Sequence, residues 1–434
     1  MDDALCPLDG RYQKHTEILR PFFSEEALMR ARLQVEIEWF LALAALPEIR
    51  ELPRVKRKDE QKLRQVLERF RSAQVQEVKV LERRTNHDVK AVEYYLKQKI
   101  EHIAGLRKQK EFVHFALTSE DVNNLAYGIL VHEALKTVIR PQCKSVIADV
   151  TRMAKRWAKI EMLSLTHGQP ATPTTVGKEF MVFADRLQRQ FDQLKVFRMQ
   201  GKFGGAVGNY AAHRAAYPAV QWEKVGKQFI RSLGLTPLAH TTQINPHDDI
   251  AELSHLMTRV NTILMDLSRD MWMYISRGVF TQKIVAGEVG SSTMPHKVNP
   301  IDFENAEGNL GLSSALFMHF AEKLPISRLQ RDLSDSTVQR NIGIAFGYHT
   351  LAIASLKKGM GKIALNRGLI AKELMDHPEV RAEAIQIVLR KHGVEGAYEK
   401  LKKLTRGEKL THEQINAFIE TLPIPEKEKK GLKN

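Results

Sequence analysis

A heptad spacing of apolar residues between positions 253 and 274 is the strongest constraint on the fold. The apolar positions advance alternately by four and by three residues, which is typical of a long helix that packs lengthwise in a bundle. The positions are Leu253, Met257, Val260, Leu264, Leu267, Met271 and Tyr274. We predict that Asn245 and Pro246 begin this helix as its cap and first residue, and that Gly278 ends it.

Other stretches carry a similar helical signal. The same steps recur from Phe180 to Leu194, where Gly201 is the expected end, and a further helix is predicted from Ala306 to Leu324. Residues 54–104 contain neither proline nor glycine, which favours long helices there. Because no run of alternating strand residues appears, the sequence predicts an all-α protein with a central bundle of long helices.

The length and the helix breakers indicate three domains. A chain of 434 residues is long enough for about three domains at about 150 residues each. Glycine and proline cluster at 164–177, 201–210 and 278–300. The last cluster is long for a connection between helices, and such loops are often functional. The predicted domains are an N-terminal helical domain at 1–107, a central long-helix domain at 108–360 and a C-terminal helical domain at 361–434.

Composition excludes several classes of protein. Hydrophobic residues make up 43% and charged residues 27%, as in a globular chain with an ample core. Cys6 and Cys143 are the only cysteines, so a disulfide framework is excluded. The longest apolar run, Trp39 to Leu46, is too short to cross a bilayer, and the first residues do not resemble a signal peptide. We expect a cytoplasmic protein.

The formal net charge of +15 leaves two interpretations open. A basic surplus favours nucleic acid, an anionic membrane or a polyanionic substrate. The basic residues are nevertheless spread along the chain and interleaved with acidic ones, as on a solvated surface. Since no nucleic-acid-binding motif accompanies them, we expect no specific nucleic-acid partner and no membrane partner.

Two groups of residues mimic well-known sites without matching them. Gly201, Gly204, Gly205 and Gly208 lack the lysine of a phosphate-binding loop and the preceding strand of a dinucleotide fingerprint, so a tight turn is the better interpretation. The segments 86–88 and 247–249 mix histidine with acidic residues but lack the spacing of a metal site. We predict no metal.

Two loop segments carry candidate chemistry. Residues 290–300 follow a glycine with hydroxyls, an ammonium group and an amide, and successive backbone N–H groups there favour binding of a developing anion. His167 lies beside Gly168 and Pro170 in a breaker-rich segment, where functional residues are common. On spacing alone, a polar loop remains an open interpretation of the first segment, and a lone histidine is more often structural than catalytic.

The 290–300 segment resembles the signature Gly-Ser-Ser-x-Met-Pro-x-Lys-x-Asn-Pro of the fumarase/aspartase superfamily. Every fixed position of that signature is met between Gly290 and Pro300. The segments 166–173 and 85–90 are similar to the bacterial long-chain branch that cleaves succinylated purine nucleotides. The resemblance extends from Asp9 to Gly407, nearly the whole chain.

The resemblance implies an α-helical, three-part fold that forms a homotetramer around a twenty-helix core, with each active site shared among three subunits. It implies β-elimination of fumarate from adenylosuccinate, giving AMP, and from SAICAR, giving AICAR, in purine biosynthesis. No metal or organic cofactor is expected. Members of this branch continue past the position of Asn434 with another helical segment, and we expect activity without it.

The resemblance also assigns catalytic roles. Ser291 matches the general base, and Lys297 stabilises its alkoxide and the charged intermediate. His167 matches the general acid that protonates the departing purine nitrogen, because imidazole exchanges protons near neutral pH. Glu304 is expected to orient His167. His87 resembles the second active-site histidine, near the phosphate or the leaving group.

Further positions match substrate-contacting residues of the family. Arginine suits these roles because its planar fork pairs with phosphate and carboxylate groups. The expected contacts to phosphate and nucleotide are Arg11, Tyr12, Arg331, Ser336 and Arg340. The remaining expected contacts are Asn86, His87, Asp88, Thr118, Ser119, Gln243, Ser292, Lys297, Val298, Asn299 and Asn305.

Two alternatives remain open at this stage. A sibling lyase of the superfamily would release fumarate from another substrate or isomerise a related acid, although the segments 85–90 and 166–173 argue against it. A basic nucleic-acid-binding protein that has lost the activity would explain the charge. The intact Ser291, His167 and Lys297 argue against such a loss.

Overall fold

Helices dominate the structure, a computed structural model that describes residues 4–284, 293–294, 296–405 and 410–433. They hold 67% of the chain, which confirms the predicted helical class. In chain order the helices are α1 Gln13–Thr16, α2 Arg20–Phe23, α3 Glu25–Ala44, α4 Arg57–Glu68, α5 Ser72–Thr85, α6 Asp88–Glu101, α7 Ser119–Ala134, α8 Arg140–Arg156, α9 Val176–Val196, α10 Ala211–Ala216, α11 Trp222–Ser232, α12 Asp248–Ser276, α13 Ile301–Lys323, α14 Ser334–Gln339, α15 Ile342–Lys362, α16 Arg367–Asp376, α17 Ala382–Lys391, α18 Ala397–Thr405, α19 His412–Glu420 and α20 Glu426–Lys433.

Six short strands form three two-stranded sheets among the described residues. The strands are β1 Glu161–Thr166, β2 Gln169–Thr175, β3 Gln200–Gly201, β4 Thr236–Pro237, β5 Phe280–Gln282 and β6 Ile363–Leu365. β1 pairs with β2 and β5 with β6 in antiparallel fashion, whereas β3 and β4 are parallel. The sequence predicted a loop where β1 and β2 form a hairpin.

The chain divides into two compact units, each assembled from separate stretches. Unit 1 comprises Met1–Ser145, Arg189–Met265 and Asn305–Ser355, and unit 2 comprises Val146–Gln188, Asp266–Glu304 and Leu356–Asn434. Every boundary between these stretches falls inside one of the long helices α8, α9, α12, α13 and α15. Chain order alone therefore does not separate the two units.

The heptad pattern predicted α12 well. Six of its seven apolar positions are buried, and Tyr274 is half-buried. The predicted start is displaced, because the helix begins at Asp248 and the Asn245 side chain accepts a hydrogen bond from the His247 backbone N–H at 2.9 Å. The predicted end is close, since Gly278 follows Ser276 in the left-handed region at φ 80°.

Two other helix ends differ from the prediction. α9 ends at Val196, ahead of Gly201, and the Arg140 guanidinium donates hydrogen bonds to the carbonyls of Leu194 and Phe197 at 3.0 and 2.9 Å. Residues 54–104 form three helices instead of longer ones. One break between these helices lies at Asn86, whose backbone is left-handed at φ 50°. Because asparagine adopts this conformation as glycine does, the positions of glycine and proline alone do not predict the break.

The core of unit 1 centres on aromatic side chains. The fully buried Trp39 of α3 packs against Phe203 and Phe229, with ring centroids 4.6 and 5.1 Å apart. Its indole N–H donates to the Phe115 carbonyl at 3.0 Å. Edge-on aromatic packing of this kind contributes about 0.5–1.5 kcal/mol per pair beyond simple burial. This packing fixes α3 close to the glycine-rich segment that follows β3.

Unit 2 carries its own apolar cluster near the end of the chain. Residues of α17, α18, α19 and the segments on either side of α19 bury their side chains together: Ile385, Leu389, Ala397, Leu401, Leu410, Ile415, Ile419, Leu422 and Ile424. The Arg381 guanidinium ties this cluster to α20 through the Leu432 carbonyl, and it also donates to Asn416 at 3.0 Å. These contacts hold the last described helix in place.

Candidate active site

The first turn of α7 organises the predicted binding residues of unit 1. The Asp121 carboxylate accepts a hydrogen bond from the backbone N–H of Thr118 at 2.9 Å, which caps the helix. Thr118 and Ser119 are half-buried, whereas the next two residues, Glu120 and Asp121, are buried. The Asp121 carboxylate contacts the glycine-rich loop, and the Glu120 carboxylate contacts the loop that carries Arg331.

Asp121 fixes the glycine-rich loop. Its carboxylate accepts hydrogen bonds from the N–H groups of Gly204 and Gly205, both at 3.0 Å, and pairs with Lys202 Nζ at 2.8 Å. Burial lowers the pKa of Lys202, although Asp121 favours its charge. Because an internal carboxylate already occupies these N–H groups, the loop is a turn held by an ion pair, as the sequence predicted, and not a phosphate cradle.

Glu120 connects the predicted residue Arg331 to a group of buried polar residues that the sequence did not predict. Its Oε1 accepts from Asn123 Nδ2 at 2.9 Å and lies 3.5 Å from Arg331 Nη2. Arg331 Nη1 also donates to Asp335 at 2.8 Å, and His247 lies 3.4 Å from that carboxylate. Burial raises the pKa of Glu120, and Arg331 only partly offsets it. For Asp335, burial opposes ionisation, but His247 and Arg331 outweigh it and lower the pKa.

Asp88 joins two arginines. Its Oδ2 accepts from Arg32 Nη2 at 2.8 Å and from Arg340 Nη2 at 2.7 Å. Burial opposes the charge of Asp88, but the field of Arg32 and the hydrogen bonds from both arginines outweigh it and lower its pKa to about 2. Arg32 Nε donates in turn to Asn123 at 2.8 Å. Asp88 is therefore a permanent anion near neutral pH.

The residues before Asp88 are shaped by a helix–helix turn. Asn86 ends α5 in the left-handed region, and His87 caps α6. The His87 Nδ1 accepts the Lys90 backbone N–H at 3.2 Å, which leaves the ring proton on Nε2. His87 is exposed. The Nε2–H group of the ring is therefore a donor that faces solvent, while Nδ1 caps α6.

Three more predicted residues of unit 1 form a separate contact. The Asn305 amide donates to the Tyr12 hydroxyl at 3.4 Å, and Ser355 donates to the Asn305 carbonyl oxygen at 2.6 Å. The exposed Arg11 lies with its guanidinium carbon 5.8 Å from the centre of the Tyr12 ring. Asn305 thus holds the tyrosine on which Arg11 rests.

The two remaining predicted residues of unit 1 lie in a loop and in the short helix α14. The Gln243 amide donates to the Ala206 carbonyl at 2.9 Å, and its backbone N–H donates to the Gln330 carbonyl at 3.3 Å. Gln243 therefore links the glycine-rich loop to the loop that carries Arg331. Ser336 is half-buried in α14, where its backbone N–H donates to Asp335 at 2.6 Å.

His167 occupies the tip of the β1–β2 hairpin in unit 2. Thr166 pairs with Gln169, so His167 and Gly168 form a two-residue turn, and both have positive φ, at 53° and 74°. This combination is typical of the tight turns that match the twist of a hairpin. His167 is exposed, and its ring makes no hydrogen bond within the described part of the chain. The turn presents the imidazole to its surroundings.

The signature loop of unit 2 is described only in part. Ser291 and Ser292 lie outside the described residues. Lys297 is exposed, and the Val298 carbonyl accepts a hydrogen bond from Gln282 at 2.8 Å. Asn299 is half-buried just before α13. Glu304, in the first turn of α13, accepts a hydrogen bond from the Trp272 indole at 3.0 Å and is not bonded to His167 in this single chain.

Sequence reasoning missed the residues that hold the predicted ones. Arg32, Glu120, Asn123, His247 and Asp335 are all buried and polar. Arg32 had no distinctive signal, because other polar residues of α3 surround it in the sequence, among them Arg30, Gln34 and Glu36. Across the described residues, no group of three histidine, cysteine or acidic side chains forms a metal site, and no helix is long and apolar enough to span a membrane.

Comparison with protein families identifies the class. Residues 10–312 match the family model described as lyase. Residues 327–434 match the model described as adenylosuccinate lyase C-terminal. Since the first match alone covers more than half of the chain, the helical fold and the loop signature define a lyase of the fumarase/aspartase superfamily.

Full-length relatives narrow the class further. The chain is 53% identical to an adenylosuccinate lyase of Legionella pneumophila (strain Corby) over 99% of this chain and 94% of that protein. It is 49% identical to the adenylosuccinate lyases of Haemophilus influenzae and of Escherichia coli (strain K12) with the same coverage. The chain belongs to the adenylosuccinate lyase family.

Solved structures support the fold. A fumarate lyase from Mesorhizobium sp. BNC1 has a TM-score of 0.75 at 15% identity, covering 96% of this chain and 93% of that one. A 3-carboxy-cis,cis-muconate lactonizing enzyme from Pseudomonas putida has a TM-score of 0.74 at 18% identity, covering 98% and 94%. These structures share the helical architecture of the superfamily.

Proposed function

We propose that this enzyme eliminates fumarate from adenylosuccinate, giving AMP, and from SAICAR, giving AICAR. The observation that carries the proposal is the 53% identity over 99% of the chain to a protein named adenylosuccinate lyase. The loop signature at Gly290–Pro300 supports it. No metal or organic cofactor takes part in the proposed reaction, because a base, an acid and anion-stabilising groups are sufficient for β-elimination.

The proposed chemistry needs one base and one acid. Ser291 removes the proton from the carbon next to a succinyl carboxylate, and Lys297 stabilises the negative charge that develops. The carbon–nitrogen bond then breaks, the electron pair goes to the purine nitrogen and His167 supplies its proton. Fumarate and the nucleotide leave, and a proton returns from Ser291 to His167 through solvent. Glu304 orients His167 in this scheme.

The two histidines suit different tasks. His167 projects from a hairpin tip, and its ring makes no bond to a described residue, so both nitrogens are available for proton exchange. A proton on His87 Nδ1 would break the cap that it makes with the Lys90 N–H. His87 is therefore better suited to donate a hydrogen bond from Nε2, to the phosphate or to the leaving group, than to supply the proton.

The binding residues suit a substrate with one phosphate and two carboxylates. Arg331, Arg340 and Arg11 supply planar cationic groups, with Ser336 and Tyr12 as neutral partners. Asn86, Asp88, Thr118, Ser119, Gln243 and Asn305 complete the proposed contacts of unit 1, and Ser292, Val298 and Asn299 those of the signature loop. Asp88 carries a negative charge, so its proposed task is to hold Arg340 and polar groups of the substrate, not the phosphate.

The assembly is also a proposal. We propose a cytoplasmic homotetramer whose active sites are shared among subunits, with the three-domain division at 1–107, 108–360 and 361–434. A shared site would bring together residues of units 1 and 2 from different chains. Mixing the variants His167→Ala and Ser291→Ala, each inactive alone, should then restore part of the activity. No recovery after proven subunit exchange would contradict shared sites.

Ultraviolet absorbance tests the reaction directly. Purified protein with adenylosuccinate should convert it to AMP and fumarate, and SAICAR to AICAR and fumarate. A folded protein that converts neither would contradict the proposed substrates, and argininosuccinate would be tried next. Binding to DNA should be weak and should fall steeply with salt. Tight DNA binding at physiological salt would instead favour a nucleic-acid partner.

A further inference from the structure

An unbroken chain of hydrogen-bonded side chains, six with its two ends, links the two arginines that the proposed function assigns to the phosphate. It runs from Arg331 through Glu120, Asn123, Arg32 and Asp88 to Arg340. The successive donor–acceptor distances are 3.5, 2.9, 2.8, 2.8 and 2.7 Å. We call this chain of residues the arginine relay.

The middle of the relay is buried and its ends are accessible. The Arg32 side chain is 3% exposed and that of Glu120 4%, whereas those of Arg331 and Arg340 are 20% and 45% exposed. Arg340 also borders a cavity of about 390 Å³. Glu120, Asn123 and Arg32 are buried and therefore do not meet a ligand themselves. They act on it through the terminal arginines and Asp88.

Arg32 is the branch point of the relay. Its Nε donates to Asn123, and its Nη2 donates to Asp88, so one planar group serves both directions. A lysine would present a single ammonium in place of this fork. Leaving Asp88 or Asn123 without its partner in a buried position costs about 1–3 kcal/mol. The local structure therefore depends on a guanidinium at this position.

We propose that Arg32 is a positioning residue that holds Arg331 and Arg340 ready for a phosphate monoester. Ordering a free arginine side chain costs up to about 2 kcal/mol of conformational entropy. If both arginines are ordered before the ligand arrives, this entropy is not lost on binding, and the ligand binds more tightly. The identity of the ligand as a nucleoside monophosphate rests on the proposed function.

The test compares ligands with and without a phosphate in the intact enzyme. Arg32→Met should raise the KM for adenylosuccinate and the inhibition constant of AMP by about 10- to 100-fold, as one or two lost charged contacts do. The affinity for adenosine, which lacks the phosphate, and kcat should change by less than about threefold. Arg32→Lys should show a smaller loss of AMP affinity. Asn123→Ala should also weaken AMP binding, but only through the branch that leads to Arg331.

Arg64 provides a matched control in the same unit. It also forks between two acceptors, donating from Nε to Glu60 and from Nη1 to Glu38, but it is not connected to the relay. Arg64→Met should leave the AMP affinity unchanged. If Arg32→Met fails to fold, the Arg32→Lys and Asn123→Ala variants decide. Arg32→Lys removes the planar fork, and Asn123→Ala removes the two bonds that connect Arg32 to Glu120.

The outcomes separate this inference from the proposed reaction. Unchanged AMP affinity in folded Arg32 variants, or equal losses for AMP and adenosine, would overturn the positioning role while the activity of the unmodified enzyme stands. A wild-type enzyme without turnover would overturn the proposed substrates. The relay would then be judged by calorimetric titration of AMP against adenosine in the wild type and the Arg32 variants, with the same expected difference.

Discussion

The first turn of α7 and the tip of the β1–β2 hairpin hold predicted site residues in opposite ways. Around α7, carboxylates and amides are buried and hydrogen-bonded to one another and to loops from two other parts of the sequence. At the hairpin tip, His167 is exposed, and only the backbone turn fixes its position. One region is built to be rigid, and the other is built to present a side chain.

This difference matches the chemistry proposed for each region. Binding a charged ligand benefits from groups that are already ordered, because less entropy is lost on binding. An acid that gives and regains a proton needs access to substrate and solvent, which an exposed turn provides. Substitutions should therefore affect stability in the α7 region and catalysis at the hairpin.

The largest effect is expected at the hairpin tip. His167→Ala should lower kcat by about 10²- to 10⁴-fold, the usual contribution of a general acid. The urea midpoint should stay near that of the wild type, because the His167 side chain is exposed. Steady-state kinetics and urea unfolding measure the two effects. His102→Ala, at another exposed histidine, should change neither, and a near-normal rate in His167→Ala would exclude it as the acid.

The buried ion pair beside α7 should behave in the opposite way. Asp121→Asn removes the charge that Lys202 faces and should lower the free energy of unfolding by about 3–5 kcal/mol, as for other broken buried pairs. Adding Lys202→Met should cost less than the sum of the two single changes, since the unpaired charge disappears. Urea unfolding of the four proteins gives this coupling. Additive losses would mean that the pair contributes no specific stability.

The ion pairs of Asp88 should make the free energy of unfolding depend on pH. Its folded pKa of about 2 lies below the value in the unfolded chain, so its contribution is complete above about pH 4 and is lost as the pH falls towards 2. At pH 7 the wild type should exceed Asp88→Asn by about 2 kcal/mol in free energy of unfolding. Urea titrations at several pH values should show this difference shrinking with acid. A constant difference would contradict the ion-pair account.

The smallest expected effect concerns the two-residue turn of the β1–β2 hairpin. Gly168 has φ 74°, and a side chain in this left-handed region costs about 1–2 kcal/mol, so Gly168→Ala should destabilise the hairpin by about 1 kcal/mol. Gly361→Ala is the matched control, because this glycine is helical and has open space around it. That change should stabilise by up to about 1 kcal/mol. Equal effects in urea unfolding would show that the turn geometry is not demanding.

The sequence predicted the long helices better than their ends. The heptad pattern in α12 reflects burial on one side, which is a property of the residues themselves. The end of a helix also depends on partners that are distant in sequence. Arg140 of α8, for example, donates a hydrogen bond to a carbonyl near the end of α9. The hairpin was missed because β2 is rich in threonine and proline, and because the turn depends on positive φ angles at His167 and Gly168.

The candidate site shows the same division. The signature loop and the segments around His87 and His167 are local motifs, so a resemblance could assign them. Arg32 and Glu120 carry no motif, and their roles depend on contacts 56 and 211 residues away in sequence, to Asp88 and Arg331. Such contacts are determined by tertiary packing, which no local pattern of residues encodes.

The interleaving of the two units has a consequence for synthesis on the ribosome. Unit 1 lacks its last stretch until residue 355 has been made, and unit 2 needs the C-terminal residues. At about 5–20 residues per second, the interval between residue 145 and residue 355 lasts about 10–40 s. During that time Phe23 of α2 lacks its stacking partner Phe346, whose ring centroid lies 5.5 Å away in the folded protein. We therefore expect nascent chains to depend on chaperones more than a protein of two consecutive domains would.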